Sequence, residues 1–274
     1  MFLLSFLFII FLAAPAFCCS KMTVKSETVE YKERDTVLEG HLYQPETVTT
    51  KHPAILVYPA FWGPSPHEKK VAHELAELGF IALVADVYGK GVRPQSREDA
   101  FKALGPYFAD REGLLKPRIL AAYNYITGLP NVDKGKVGAI GYCFGGTCVL
   151  DLARYNVNIV AGVSFHGGLK PIKEGEDHSK LPLINTSLLI CHGDADEHVN
   201  PTVPAFLEEL RARKADFQFI NYAKALHGFT MEKEPAGPPN VGYDEKADRR
   251  SKLAMLTFFN EIFGIPNKDY FLNL

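Results

Sequence analysis

Short, uninterrupted apolar runs recur along the chain at residues 53–58, 81–84, 137–140, 159–165 and 187–191, with a further β-prone run at 217–222. Runs of this length without polar alternation are the pattern of strands buried on both faces. Between them the period changes. Val71, Leu75 and Leu78 recur at helical intervals within 67–78, and Gly79 stops that run. Helical patterns are also read at 97–108, 112–127, 201–214 and 247–263, and from the turn at 141–145 to about residue 155. Before residue 53 the pattern is different. Residues 28–31 and 37–43 alternate across Glu33-Arg34-Asp35, which predicts an antiparallel hairpin. Strands alternating with helices predict an α/β fold, a doubly wound, mostly parallel sheet with the hairpin as an antiparallel edge. Residues 232–244, rich in Pro and Gly, are expected to form a mobile surface flap.

Composition adds little beyond an ordinary globular chain: 274 residues, 47% hydrophobic and 23% charged. The net charge of -2 gives no basic excess, so a nucleic-acid partner is not expected. The first twenty residues carry no charge, and 2–12 are apolar apart from Ser5. Ala14-Pro15-Ala16 follows, and the first charge is Lys21. This predicts a cleaved secretory signal over 1–19, ending near Ala16 or around Cys18-Cys19. No Lys or Arg precedes the apolar run, so an uncleaved N-terminal anchor is the alternative. The remaining chain, 25–274, shows no composition break and is expected to be one domain. A secreted or periplasmic location follows, with no stable membrane association once the signal is removed, and a monomer is expected. Cys143, Cys148 and Cys191 then remain, an odd number, so at least one free thiol is expected. Cys148 and Cys191 either pair or stay as buried free thiols. No cysteine or histidine spacing suggests a metal, and no cofactor motif is present.

Chemistry gathers after the predicted strands. The run at 137–140 leads into Gly141-Tyr142-Cys143-Phe144-Gly145. G-x-C-x-G is nucleophile-elbow spacing with Cys in place of Ser. The strained turn needs neighbours without Cβ, and it aims the first N–H groups of the following helix at the reaction centre. The rival reading is a tight β–α turn holding an inert thiol. In a doubly wound sheet, functional groups collect at the carboxyl ends of strands, and Cys143, Asp194, Asp196 and His227 all fall there. The order nucleophile, acid, histidine is that of the α/β-hydrolase architecture. Asp196 is favoured over Asp194, which is expected to shape the turn after residue 191. His227 is favoured as base over His166, His192 and His198.

With these residues the chain resembles the dienelactone hydrolase family of α/β hydrolases. The matching stretches are Gly141-Tyr142-Cys143-Phe144-Gly145-Gly146, His192-Gly193-Asp194-Ala195-Asp196-Glu197-His198-Val199 and Leu226-His227-Gly228-Phe229. The resemblance implies an enzyme that cleaves an ester or lactone with a Cys143, Asp196, His227 triad. It also implies an oxyanion hole made by the backbone N–H groups of Phe61 and Phe144. Trp62, Tyr142 and Arg93 are candidates for contacts to a small-molecule substrate. Two departures stand out. The family's Glu after the first buried strand is Ala60 here, so a resting thiolate at Cys143 is expected. An Arg that grips the substrate carboxylate, four residues past the histidine, is Met231 here. Other readings of the same fold are a redox sensor or a non-catalytic binding protein.

Overall fold

The computed structural model describes residues 21–231 and 240–264. The expected signal, and the part of the expected flap at 232–239, lie outside the described residues. The hairpin forms β1 (Val24–Glu33) and β2 (Thr36–Pro45), paired in register from Val24 opposite Pro45 to Glu33 opposite Thr36. β3 (His52–Tyr58), β4 (Ile81–Val84), β5 (Val132–Tyr142), β6 (Ala161–Phe165), β7 (Ser187–Gly193) and β8 (Phe217–Tyr222) complete one sheet. Its order is β1-β2-β4-β3-β5-β6-β7-β8, with β2 antiparallel to both neighbours and every later pair parallel. This is the doubly wound sheet with an antiparallel edge that the apolar runs predict.

The helices are α1 (Pro66–Glu77), α2 (Arg97–Ala109), α3 (Lys116–Gly128), α4 (Phe144–Arg154), α5 (Val203–Ala212) and α6 (Glu245–Phe263). Local chemistry sets several of their ends. Ser65 accepts from the His67 N–H while Glu68 reaches back to the Ser65 N–H, a capping box ahead of α1. Asp244 caps the Ala247 N–H, and Gly264 ends α6 in the left-handed region. Among the described residues, no helix is long and apolar enough to cross a membrane.

β3 and β4 are sealed on both faces, with Ala54 to Tyr58 and Ile81 to Val84 having no exposed surface. β7 serves two cores by alternation. Leu189 and Cys191 join the main core, while Leu188 and Ile190 face Leu150, Phe206 and Leu210 from α4 and α5. Three boundaries depart from the sequence pattern. β5 begins at Val132, five residues earlier than its apolar run, because the polar stretch Asp133 to Lys136 extends the strand beyond the buried core. Residues Arg111–Leu115 form a π turn that Asp110 caps at the Gly113 N–H, so α3 starts at Lys116 rather than 112. A 3₁₀ turn, Asn200–Thr202, precedes α5.

Candidate active site

Cys143 occupies the turn between β5 and α4 with φ 52 and ψ -111, a conformation that L residues rarely adopt. The flanking glycines are forced by close approach. A Cβ on Gly141 would lie 2.0 Å from the Gly145 carbonyl oxygen, and one on Gly145 would lie 2.0 Å from that of Tyr58. Any side chain at either position would push α4 off the ends of β3 and β5. The thiol is half-buried, and its neighbours come from two later strand ends. His227, on the loop after β8, has Nε2 3.1 Å from Cys143 Sγ. Its Nδ1 lies 2.7 Å from Asp196 Oδ2, on the loop after β7.

Asp196 has no exposed surface, and its second oxygen accepts from the His198 and Val199 N–H groups. Burial alone would raise its pKa, but the bonds to His227 and the backbone outweigh this and hold it below the usual carboxylate range. Burial would likewise push His227 down. The pairing with Cys143 and with Asp196 wins, and holds the imidazole up at about 10. Asp194 is exposed, and the turn-shaping bonds expected of its side chain are made by Asp196 instead. His192 pairs with Asn200 at 2.7 Å, away from the Cys143–His227–Asp196 bonds.

His166 does belong to the cluster, in another role than base. It is fully buried, has φ 40, and accepts the Cys143 N–H at Nδ1 (3.2 Å). Nδ1 therefore carries no proton, and Nε2–H donates to Thr230 Oγ1 at 2.8 Å. Burial first, and the neighbouring His227 second, keep its pKa well below the ordinary value. A neutral His166 thus ties the elbow to the loop that carries His227. Cys148 and Cys191 are free and buried, and burial raises both thiols, Cys191 to about 12. They are poor nucleophiles at neutral pH.

Phe144 is the first residue of α4, so its N–H is one of those that the helix leaves without an internal partner. Phe61 follows β3, on a loop held by two side chains. Tyr88 donates its hydroxyl to the Phe61 carbonyl at 2.9 Å and stacks its ring on Phe144, 6.0 Å between centroids. One residue therefore touches both residues whose N–H groups are the candidate oxyanion donors. Glu68, fully buried, accepts from the Ala60 and Ser65 N–H groups and the Ser65 hydroxyl. Its carboxylate is held by that loop. Tyr88→Phe keeps the ring stack and removes the hydroxyl's bond to Phe61. It is expected to lower kcat about tenfold with little change in KM, less than the roughly 10²–10³ typical of losing a donor outright. Steady-state kinetics beside a thermal melt checks this, and an unchanged kcat would show that the Phe61 N–H is positioned by other means.

Trp62 and Tyr142 both line a cavity of about 530 Å³ beside the elbow, together with Phe165, Thr230 and Met231. Arg93 does not line it. Its guanidinium bonds the Gly89, Val92 and Glu39 carbonyls and pairs with Glu39 and Asp86, so it anchors the loop after β4 to β2. The contacts that Arg93 makes here are structural ones.

The family profile of the dienelactone hydrolases matches residues 38–263. The chain belongs to the dienelactone hydrolase family. An uncharacterized Caenorhabditis elegans protein is 51% identical over 160 residues, 57% of this chain and 99% of that protein. A probable 2-oxo-3-(5-oxofuran-2-ylidene)propanoate lactonase of Bradyrhizobium sp is 28% identical over 69% of this chain and 78% of its own. Among solved structures, a dienelactone hydrolase-like promiscuous phosphotriesterase from metagenomic libraries superposes with a TM-score of 0.80. It is 35% identical, over 87% of this chain and 98% of its own. Membership of the family makes this protein a hydrolase of carboxylic esters or lactones.

Proposed function

We propose that the ester or lactone is cleaved in two steps through a thioester on Cys143. The observation that carries this reading is the unbroken relay from Asp196 Oδ2 to His227 to Cys143 Sγ, at 2.7 and 3.1 Å. The raised pKa of His227 supports an imidazolium at rest, placed to pair with a thiolate on Cys143. The thiolate attacks the carbonyl carbon, and a C–S bond forms as the carbonyl electrons move onto oxygen. The Phe61 and Phe144 N–H groups receive that oxyanion, the latter with the N-terminal end of α4 behind it. Collapse breaks the C–O bond, and His227 Nε2–H protonates the departing alkoxide. A water then gives its proton to His227 and its oxygen to the thioester carbon. The C–S bond breaks, and the acid leaves with the ion pair restored. Asp196 holds Nδ1–H throughout and so keeps Nε2 facing the sulfur.

Acid quenching during turnover of p-nitrophenyl acetate tests the reading. Intact mass spectrometry is expected to show one acetyl group, mapped by digestion to the peptide holding Cys143. Turnover with the acetyl group on another residue would sink the proposal.

A further inference from the structure

We propose that the groove between α1 and α6 holds an apolar chain of the substrate, so that the enzyme acts on neutral esters carrying an alkyl chain of several carbons. This rests on the reading of Cys143 as nucleophile. The cavity of about 530 Å³ is lined by none of Cys143, Asp196 and His227 themselves, but by residues next to them. Trp62 lines it and packs on Phe61, with 4.7 Å between ring centroids. Tyr142, the residue before Cys143, is part of its wall, and so is Thr230, which bonds His166. From there the cavity follows the two helices. Its walls are Val71, Leu75 and Leu78 of α1 and Met255 and Leu256 of α6, with Phe165 of β6 completing the apolar surface. The α1 stripe is the one whose period reads as a core face, yet part of it borders open space.

Charge decides what kind of ligand fits. The ionised groups on the lining are Lys70 and Lys252 against Glu74 and Asp248, two of each sign. Lys252 and Glu74 pair with each other at 2.7 Å and tie α6 to α1. The lining thus carries no net charge to draw in a carboxylate, and one pushed against the apolar walls of α1 and α6 would lose water that an alkyl chain does not need. An alkyl chain loses nothing there. Each methylene transferred from water is worth roughly fourfold in kcat/KM when its burial is complete. The volume is in the range of ordinary small-ligand sites.

The test compares kcat/KM for p-nitrophenyl acetate and hexanoate, and for ethyl and hexyl acetate, in wild type and Val71→Trp. Val71 is half-buried on α1, so the indole fills the groove from its solvent side. Leu78→Trp, also half-buried, serves if that variant does not fold. The longer chain is expected to gain about tenfold or more in at least one series, and the tryptophan variant is expected to bring that ratio close to one. A rise in the first series puts the chain on the acyl side, and a rise in the second puts it on the leaving-group side. A p-nitrophenyl ester of the same length ending in a carboxylate is expected to be at least about tenfold slower than the hexanoate. Flat chain series, or equal ratios in wild type and variant, overturn the groove, as does a carboxylate ester that matches the hexanoate. Cys143→Ala run alongside separates the two readings. Acetate turnover lost in that variant with flat chain series overturns the groove alone. Acetate turnover surviving in it overturns the nucleophile, and this proposal with it.

Discussion

Cys143→Ala is expected to lower kcat for ester hydrolysis by about 10⁶-fold, the scale of removing the nucleophile from a triad that acts as a unit. The same logic gives a second expectation, that the double variant Cys143→Ala, His227→Ala is hardly slower than the single one. The imidazole has no proton to move once the sulfur is gone. Asp196→Asn is a subtler lesion, expected to cost about 10⁴-fold, because the amide favours the wrong imidazole tautomer while leaving the geometry in place. The Asn oxygen can still accept from the His198 and Val199 N–H groups that Asp196 Oδ1 receives, so the loop keeps its shape. The charge does not survive the change. Asp196 is one of the groups that hold His227 at about 10 against the opposing effect of burial. Its neutralisation must therefore lower the His227 pKa. Proton NMR of the imidazole checks the sign: no titration of His227 is expected between about pH 6 and pH 8 in wild type, and an inflection at lower pH is expected in Asp196→Asn. Activity retained within about tenfold in Cys143→Ala would remove the basis for the thioester.

The meeting of Cys143, Asp196 and His227 was legible in the sequence because Cys143 and Asp196 follow strands that read as apolar runs and His227 follows a β-prone one, and topology sends such strand ends to one edge of the sheet. Asp196 could be preferred over Asp194 on spacing, and the structure gives the physical difference: Asp196 is buried and Asp194 is exposed. What was not legible acts through space from elsewhere in the chain. Tyr88 reaches Phe61 across twenty-seven positions, and His166 reaches Cys143 across twenty-three. No local period encodes either contact. Glu68 did leave a signal, since Ser65-Pro66-His67-Glu68 spells a capping box before α1. Its complete burial, and its bond to the Ala60 amide, could not be read from that motif. The structural engagement of Arg93 was hidden for a related reason. An arginine in a loop beside the site reads as a ligand contact, whereas the buried carboxylate of Asp86 and the carbonyls around it make a structural demand on the same guanidinium. Charged residues on α4 and α5 mislead in the same way, because a charge on a helix ordinarily marks a solvated face.

Glu209→Gln is expected to destabilise the protein by about 3–5 kcal/mol, the scale of breaking a buried ion pair by removing one partner. Glu209 receives Arg154 at 2.9 and 2.7 Å and Arg213 at 3.2 Å, and Arg154 and Arg111 share Asp151. All five side chains are at most 7% exposed. Backbone carbonyls of Leu169, Lys170, Pro171 and Pro182 take remaining guanidinium donors, so the network clamps α4 to α5 and to the loop after β6. Without the Glu209 charge, Arg154 and Arg213 face each other in a medium that cannot screen them. Distance alone would not predict the cost. Lys102 and Glu98 on α2 lie 2.8 Å apart, but their side chains are 69% and 79% exposed, and Lys102→Ala is expected to cost less than about 0.5 kcal/mol. The pH dependence has a definite sign. Burial would raise the Glu209 pKa, but the arginines outweigh it and lower the carboxyl from its usual 4.5. The stabilisation is therefore complete above that value and fades as pH falls through the lowered one. Melts of wild type and Glu209→Gln should differ by roughly 10 °C at neutral pH and converge in acid. Because Glu209 touches no reacting group, kcat measured well below the transition should be unchanged. A variant that loses kcat while still folded would mean that the clamp on α4 sets the geometry of the elbow itself.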